Sequence, residues 1–210
     1  MPAIFWFILV SYIWRPFQPI GLLLVLLYPG VLLFWLIMHL GIDRWRKLGK
    51  RAYWIASLGW PLTAIPLLYF RKQIFGPPVY VSAQESIAML LLGTITLFIA
   101  IVIALLAEKT IPLRTLVGLP EIEPQKNLQP LLHTGIYART RNPVYLVHWL
   151  LIFSGAAIVG SVANWVLFFI DCIVLPLMIR AEERELLNRY GEEFVDYMRR
   201  VPRFFPKWTC

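Results

Sequence analysis

Apolar residues in this chain fall into long unbroken runs, separated by short polar stretches that are mostly basic. Pro19–Leu40, Ala52–Phe70 and Ser86–Ala107 contain no Asp, Glu, Lys or Arg. At 1.5 Å per residue, about 20 residues cross a hydrocarbon core of roughly 30 Å, so each run predicts one membrane-crossing helix. Val144–Arg180 is longer and carries a single formal charge, Asp171, before its last residue. It is too long for one crossing and about right for two, with Gly155, Gly160, Ser161 and Asn164 marking a tight turn. The pattern therefore predicts an all-α, polytopic membrane protein of about five transmembrane helices that ends in a helical hairpin. Pro2–Trp14 is apolar and aromatic but short, and it lacks the basic start of a signal peptide. It reads as a sixth short span or as the first arm of a bent pair with Phe17–Leu40, hinged at Arg15-Pro16, in preference to an interfacial helix.

Past the hairpin the periodicity changes to that of amphipathic cytoplasmic helices. Arg180–Tyr190 is a charged helical stretch that Gly191 stops. Glu192–Arg200 restarts it, and Val201–Pro206 closes against the membrane surface. A two-helix hairpin returns to the side it left, so residues 133–143 and everything after Arg180 become neighbours although nearly 40 residues separate them. Residues 108–143 form the longest polar stretch. Pro112, Pro120, Pro124 and Pro130 discourage a continuous helix there. The organisation is one membrane domain, with residues 1–107 a transmembrane scaffold and residues 108–210 the half that carries chemistry.

Composition supports the membrane reading and charge supplies an orientation. The chain is 59% hydrophobic and 15% charged, against about 25% charged in soluble domains. The net charge of +8 reads as topology and not as nucleic-acid binding. Asp43–Arg51 holds five basic residues, whereas the connection from Arg71 to Glu85 holds only Arg71 and Lys72. The positive-inside tendency puts residues 41–51 in the cytoplasm and residues 71–85 outside. Residues 108–143 and the C-terminal helices then face the cytoplasm, in a prokaryotic inner membrane or an endomembrane. Cys172 and Cys210 form neither a disulfide framework nor a zinc site.

The richest segment is His133–Tyr145, where a polar, basic loop meets the fourth apolar run. Asn142-Pro143 reads as a helix start, with Asn as N-cap and Pro at the first helical position. The helix would point free N–H groups and its positive dipole end at an anion. Arg139 and Arg141 could add charge-assisted bonds to that anion or grip lipid headgroups. Gly135 suggests a tight turn or a close approach to a ligand. His133 reads equally as a ligand contact or an interfacial histidine, and Tyr137 and Tyr145 as an aromatic wall or as interface anchors. In the C-terminal segment, Glu185 and Arg189 form a solvated i,i+4 pair. Glu183 instead heads a stripe of Leu186, Leu187 and Tyr190, so it needs an arginine across an interface or a cationic ligand. Glu182 is intermediate. His148 and Asp171 lie at similar depth on adjacent helices, which makes a contact between them plausible; it reads as structural.

In order, these residues match a pattern. His133/Gly135/Tyr137, Arg141/Pro143/Tyr145, Glu182/Glu183/Leu186, Tyr190/Gly191/Glu193/Phe194 and Arg203/Phe204/Pro206 together resemble the isoprenylcysteine carboxyl methyltransferase family, over roughly residues 128–206. The resemblance implies an S-adenosylmethionine-dependent methyltransferase embedded in the membrane. Its lipophilic acceptor would arrive from the bilayer, and it would be a prenylcysteine-type carboxylate, a phospholipid amine or a small thiol. It places the cofactor on His133, Gly135, Tyr137, Asn142, Pro143, Tyr145, Glu182 and Glu183, and assigns the catalytic positions to Arg141, Glu183 and Arg203, with no metal. Methyl transfer to an ionised carboxylate needs no general base, only positioning and water exclusion. Asn142 stands where the family usually has His, and it cannot titrate near neutral pH. An NADPH-dependent enzyme like the membrane sterol reductases is opposed by Glu182-Glu183, which would face a 2′-phosphate. A non-catalytic membrane scaffold is the remaining alternative.

Overall fold

The computed structural model describes residues 18–49, 51–71, 79–80, 82–112 and 130–207. The expected short span at 2–14, much of the loop at 108–143 and Cys210 lie outside the described residues. Those described are all-helical: α1 (Gln18–Leu40), α2 (Ile42–Leu48), α3 (Arg51–Ser57), α4 (Gly59–Tyr69), α5 (Ala83–Glu108), a 3-10 turn (Gly135–Ala138), α6 (Pro143–Val159), α7 (Val162–Tyr190) and α8 (Glu192–Arg200).

Three of these helices, α1, α5 and α7, are long and apolar enough to cross a membrane. Two of the expected crossings take a different form. The run at 52–70 is divided into α3 and α4 around Leu58. Pro61 has no N–H to give the carbonyl of Ser57, four residues back, so the first helix stops there. The first arm of the hairpin, α6, is 17 residues long, or about 25 Å at 1.5 Å per residue.

Helix α6 is the central element. It packs against α5 on one side and against α7 and α1 on another, while α1 also packs against α4. Small residues permit these approaches, as in other membrane helix pairs. A Cβ on Gly93 of α5 would lie 2.7 Å from Ile158 Cγ1 and 3.2 Å from the Ile158 backbone nitrogen. At that level Ser154 Oγ donates to the Gly93 carbonyl at 2.8 Å. The main core joins Val25, Tyr28 and Leu32 of α1 with Tyr145, Ile152 and Ala156 of α6 and Leu167, Phe168, Leu175 and Met178 of α7. The outward residues of α5 and α7, among them Ile95, Phe98, Phe169 and Ile173, are apolar and exposed, as a face toward lipid requires.

The hairpin turns where the sequence indicates. Gly160 caps α6 at φ +69°, and Ser161 Oγ caps α7 by accepting from the Asn164 N–H at 3.2 Å. Residues from before α5 cover the turn. Tyr80 donates its hydroxyl to the Ala157 carbonyl at 2.8 Å, and the Val79 N–H donates to the Gly160 carbonyl at 2.9 Å. These bonds occupy acceptors that a helix end otherwise leaves open. Gly155 is not part of the turn. It lies inside α6 against Leu24 of α1.

The second arm does not end at Arg180. α7 runs unbroken to Tyr190 because nothing in 180–190 interrupts a helix before Gly191, which sits at φ +57°. Its charged last third thus extends rigidly from the apolar part. Pro176 lies inside it and leaves the carbonyl of Cys172 without its helical donor.

Candidate functional site

The hairpin brings the two polar segments together, and Glu183 is the joint. Its Oε1 accepts from Arg141 Nη2 at 2.9 Å and Arg141 Nε at 3.1 Å, and Asn142 Nδ2 lies 3.5 Å away. Its Oε2 accepts from Arg203 Nε at 3.0 Å and Nη2 at 2.8 Å. Of the two partners foreseen for this carboxylate, arginine is the one present. Arg141 also donates through Nη1 to the carbonyls of Met198 and Val201, both at 2.8 Å. Its backbone N–H reaches the Pro202 carbonyl at 3.0 Å. A guanidinium with so many donors engaged inside the protein is a fastening for the tail.

Neighbouring residues continue the same seam. Thr140 Oγ1 donates to the Phe204 carbonyl at 2.7 Å, and the Lys207 N–H donates to the Arg139 carbonyl at 3.1 Å. Asn142 occupies the N-cap position of α6 with Pro143 following, but its side chain makes no cap bond. Nδ2 donates instead to the Arg203 carbonyl at 2.8 Å. Tyr197 of α8 donates its hydroxyl to the Tyr137 carbonyl at 2.7 Å. Burial pushes the Tyr137 and Tyr197 phenols well above the ordinary tyrosine range, so neither is a base near neutral pH.

Glu185 is not the solvated pair partner expected. Its side chain is 9% exposed, and it accepts from Arg189 at 2.7 Å and from Arg46 of α2. That second bond fixes the basic 41–51 segment beside the C-terminal helices. Asp171 likewise has a different partner from the one expected. Tyr28 donates to its Oδ1 at 3.0 Å, while His148 lies edge-on to the Tyr28 ring at 5.9 Å. Asp171 Oδ2 is buried without a partner.

Next to this seam is a cavity of about 280 Å³ bounded by α1, α6 and α7. Trp35, His39, Tyr137, Tyr145, His148 and Glu182 line it, with Arg141, Asn142 and Pro143 at its edge. His39 Nε2 is 3.1 Å from the Tyr145 hydroxyl. A smaller recess of about 80 Å³, lined by Glu182, Leu186, Tyr190 and Phe194, adjoins the far side of Glu182. One carboxylate, two imidazoles and three aromatic faces suit a small amphiphile with a donor-rich head. Of the sequence-derived site residues, Tyr137, Asn142, Pro143, Tyr145 and Glu182 border the cavity, and Arg141, Glu183 and Arg203 form the fastening. His133 is exposed, with Nδ1 3.0 Å from the Leu131 carbonyl, and Gly135 borders a separate surface hollow. Trp35 and His39 went unnoticed because they sit at the polar end of an otherwise plain apolar run. The one signal was a histidine just ahead of the basic segment.

Two curated proteins match part of this chain. They are the nickel-cobalt-cadmium resistance protein NccN of Alcaligenes xylosoxydans xylosoxydans and the cobalt-zinc-cadmium resistance protein CzcN of Cupriavidus metallidurans. Each is 36% identical over 78 residues, which is 37% of this chain and 36% of the relative. The relatives are metal-resistance proteins by name. This chain spans about a third of the length of each. No protein-family model matches the chain, and no solved structure matches it.

These names overturn the resemblance to the isoprenylcysteine carboxyl methyltransferases, and with it the reading of the chain as a methyltransferase enzyme. The geometry supplies a physical reason for the misleading pattern. Arg141, Glu183, Arg203 and Asn142 are bonded to one another and to the tail's carbonyls, so a hairpin that must be locked at its polar end requires these residue types whatever the protein does.

Proposed function

We propose that this chain is a membrane component of resistance to heavy-metal cations of the nickel, cobalt, zinc and cadmium class. The observation that carries the reading is the 36% identity over 78 residues to two proteins named for that resistance. Among the described residues, no three of His, Cys, Asp and Glu converge in a way that could hold a metal ion. The role proposed for the cavity beside Glu182 is to take a small amphiphilic molecule from the bilayer.

Five crossings belong to this proposal: α1, the α3–α4 pair, α5, α6 and α7. Residues 41–51, 130–143 and 180–207 share the cytoplasmic side. The bond from Arg46 to Glu185 supports placing these polar segments together, and the basic content of residues 44–51 supports the orientation.

The test is growth of a metal-sensitive bacterial host, with and without the chain, across graded nickel, cobalt, zinc and cadmium. Expression is expected to raise the tolerated concentration of at least one of these cations. Glu182→Gln, which leaves the Arg141–Glu183–Arg203 fastening untouched, is expected to accumulate normally and lose the gain. Unchanged tolerance with the chain present in the membrane would sink the resistance reading. Full tolerance in Glu182→Gln would sink the role of the cavity alone.

A further inference from the structure

Outside the cavity and its adjoining recess, the tail and the 3-10 turn border a further concavity, an open hollow of about 500 Å³ lined by Gly135, Ala138, Arg139, Arg200, Pro202 and Lys207. Among the described residues that line it, three are basic and none is acidic. Two bonds tie the backbone of Lys207 to Arg139. The Lys207 N–H donates to the Arg139 carbonyl at 3.1 Å, and Arg139 Nη1 donates to the Lys207 carbonyl at 3.3 Å. Arg200 is steadied by a bond from Nε to the Asp196 carbonyl at 3.2 Å. These are long basic side chains on a firm base, gathered around one concave surface.

The depth of the hollow is readable from its neighbours. A Cβ on Gly135 would lie 2.7 Å from Thr110 Oγ1, and Thr110 follows closely on the end of the spanning helix α5 at Glu108. Two residues before Lys207 in the same tail, Phe205 is 66% exposed and its ring is T-shaped to that of Trp149 of α6 at 6.3 Å. The hollow therefore sits where apolar helix surface gives way to charge, at the level of the lipid headgroups.

We infer that this hollow binds the phosphate of an anionic phospholipid. Guanidinium groups match phosphate oxygens in geometry as well as in charge. Basic pockets at the cytoplasmic ends of spanning helices are a recurrent way to hold acidic headgroups. A zwitterionic headgroup would bring its own ammonium into a site already carrying three positive charges, so the hollow discriminates by net charge. The exposed Phe205 ring gives the acyl chains a place to lie.

The experiment uses full-length protein purified in detergent. Thermal unfolding is followed after adding phosphatidylglycerol, phosphatidylcholine or inorganic phosphate, and native mass spectrometry counts the phospholipids retained. Phosphatidylglycerol is expected to raise the melting temperature and to stay bound, while phosphatidylcholine does neither. Arg139→Gln/Arg200→Gln/Lys207→Gln is expected to lose both effects. Equal effects of the two lipids, or an undiminished effect in the triple variant, would overturn the inference. Inorganic phosphate reproducing the shift would overturn it as a lipid site and mark a soluble-anion site instead. Should the triple variant not fold, Arg200→Gln alone alters only an exposed side chain. Its retention of phosphatidylglycerol must fall below that of the natural chain for the inference to stand.

Discussion

Glu183 accepts from two arginines that differ in burial, and this sets unequal consequences for losing them. The Arg141 side chain is 9% exposed and that of Arg203 is 50% exposed. Removing Arg141 leaves a buried carboxylate short of its main partner and two carbonyls short of a donor. Arg141→Ala is expected to cost about 3–5 kcal/mol, the usual range for breaking a buried pair. Arg203→Ala is expected to cost about 0–1 kcal/mol, since solvent screens the exposed half of the interaction. Chemical denaturation in detergent, following tryptophan fluorescence, checks the order. Equal losses would show that burial does not govern this site. Tyr28→Phe poses a similar question in the core, where it removes the hydroxyl that donates to Asp171. An expected cost of about 1–3 kcal/mol follows from leaving a buried acceptor unsatisfied. At this scale the need of Glu183 for a partner was legible, because an acid heading an apolar stripe announces it. The partner of Asp171 was not, because periodicity places His148 and Asp171 at one depth but does not say that Tyr28 of another helix comes between them.

Among the elements, long uninterrupted runs predicted helices well and punctuation decided the rest. The runs ending at Leu40 and near Glu108 became α1 and α5, and the Gly160-Ser161 turn formed as its residues indicate. Two elements were misjudged for a shared reason, which is that charge was used as a boundary where backbone chemistry sets it. Pro61 divides an uncharged run, whereas the charged residues from Arg180 onward continue α7 because they are good helix formers. Gly160 carries the hairpin, with a positive φ and the Tyr80 ring 2.6 Å from any added Cβ. Gly160→Ala is expected to cost at least about 1–2 kcal/mol from the left-handed backbone alone, with displacement of Tyr80 added to it. Gly93→Leu is expected to separate α5 from α6 while leaving both helical. Circular dichroism should then be preserved while the melting temperature falls; loss of helical signal would show instead that α5 depends on that contact to form.

For the whole molecule, the prediction to test is that distant polar segments share one side. In a variant with Cys172 and Cys210 replaced by Ser, Arg46→Cys together with Glu185→Cys is expected to be joined by a bifunctional thiol cross-linker about as long as the two side chains it replaces, seen as an electrophoretic shift. Arg44→Cys and Asp196→Cys should react with a membrane-impermeant reagent from one side, and Val79→Cys from the other. Reaction of all three from the same side would break the proposed topology. That these segments adjoin was legible from counting the apolar runs between them. The cavity was not, because Trp35 and His39 belong to α1 while Glu182 belongs to α7, and no local pattern links them. Nor did the ordered set of motifs identify a function, since Arg141, Glu183 and Arg203, its charged centre, fasten the fold.

The bond from Arg46 to Glu185 joins positions 139 residues apart in the chain. A ribosome adds about 5–20 residues per second, so Arg46 waits on the order of 10 s for that carboxylate to be made. During that interval the first helices can be in the bilayer while the partner of their basic connection does not yet exist. Arg141 waits in the same way, for about 42 residues, before Glu183 emerges. Assembly of this protein is thus completed from its C-terminal end. A nascent chain stopped short of Glu183 would hold its first helices with unlatched charges at their polar ends.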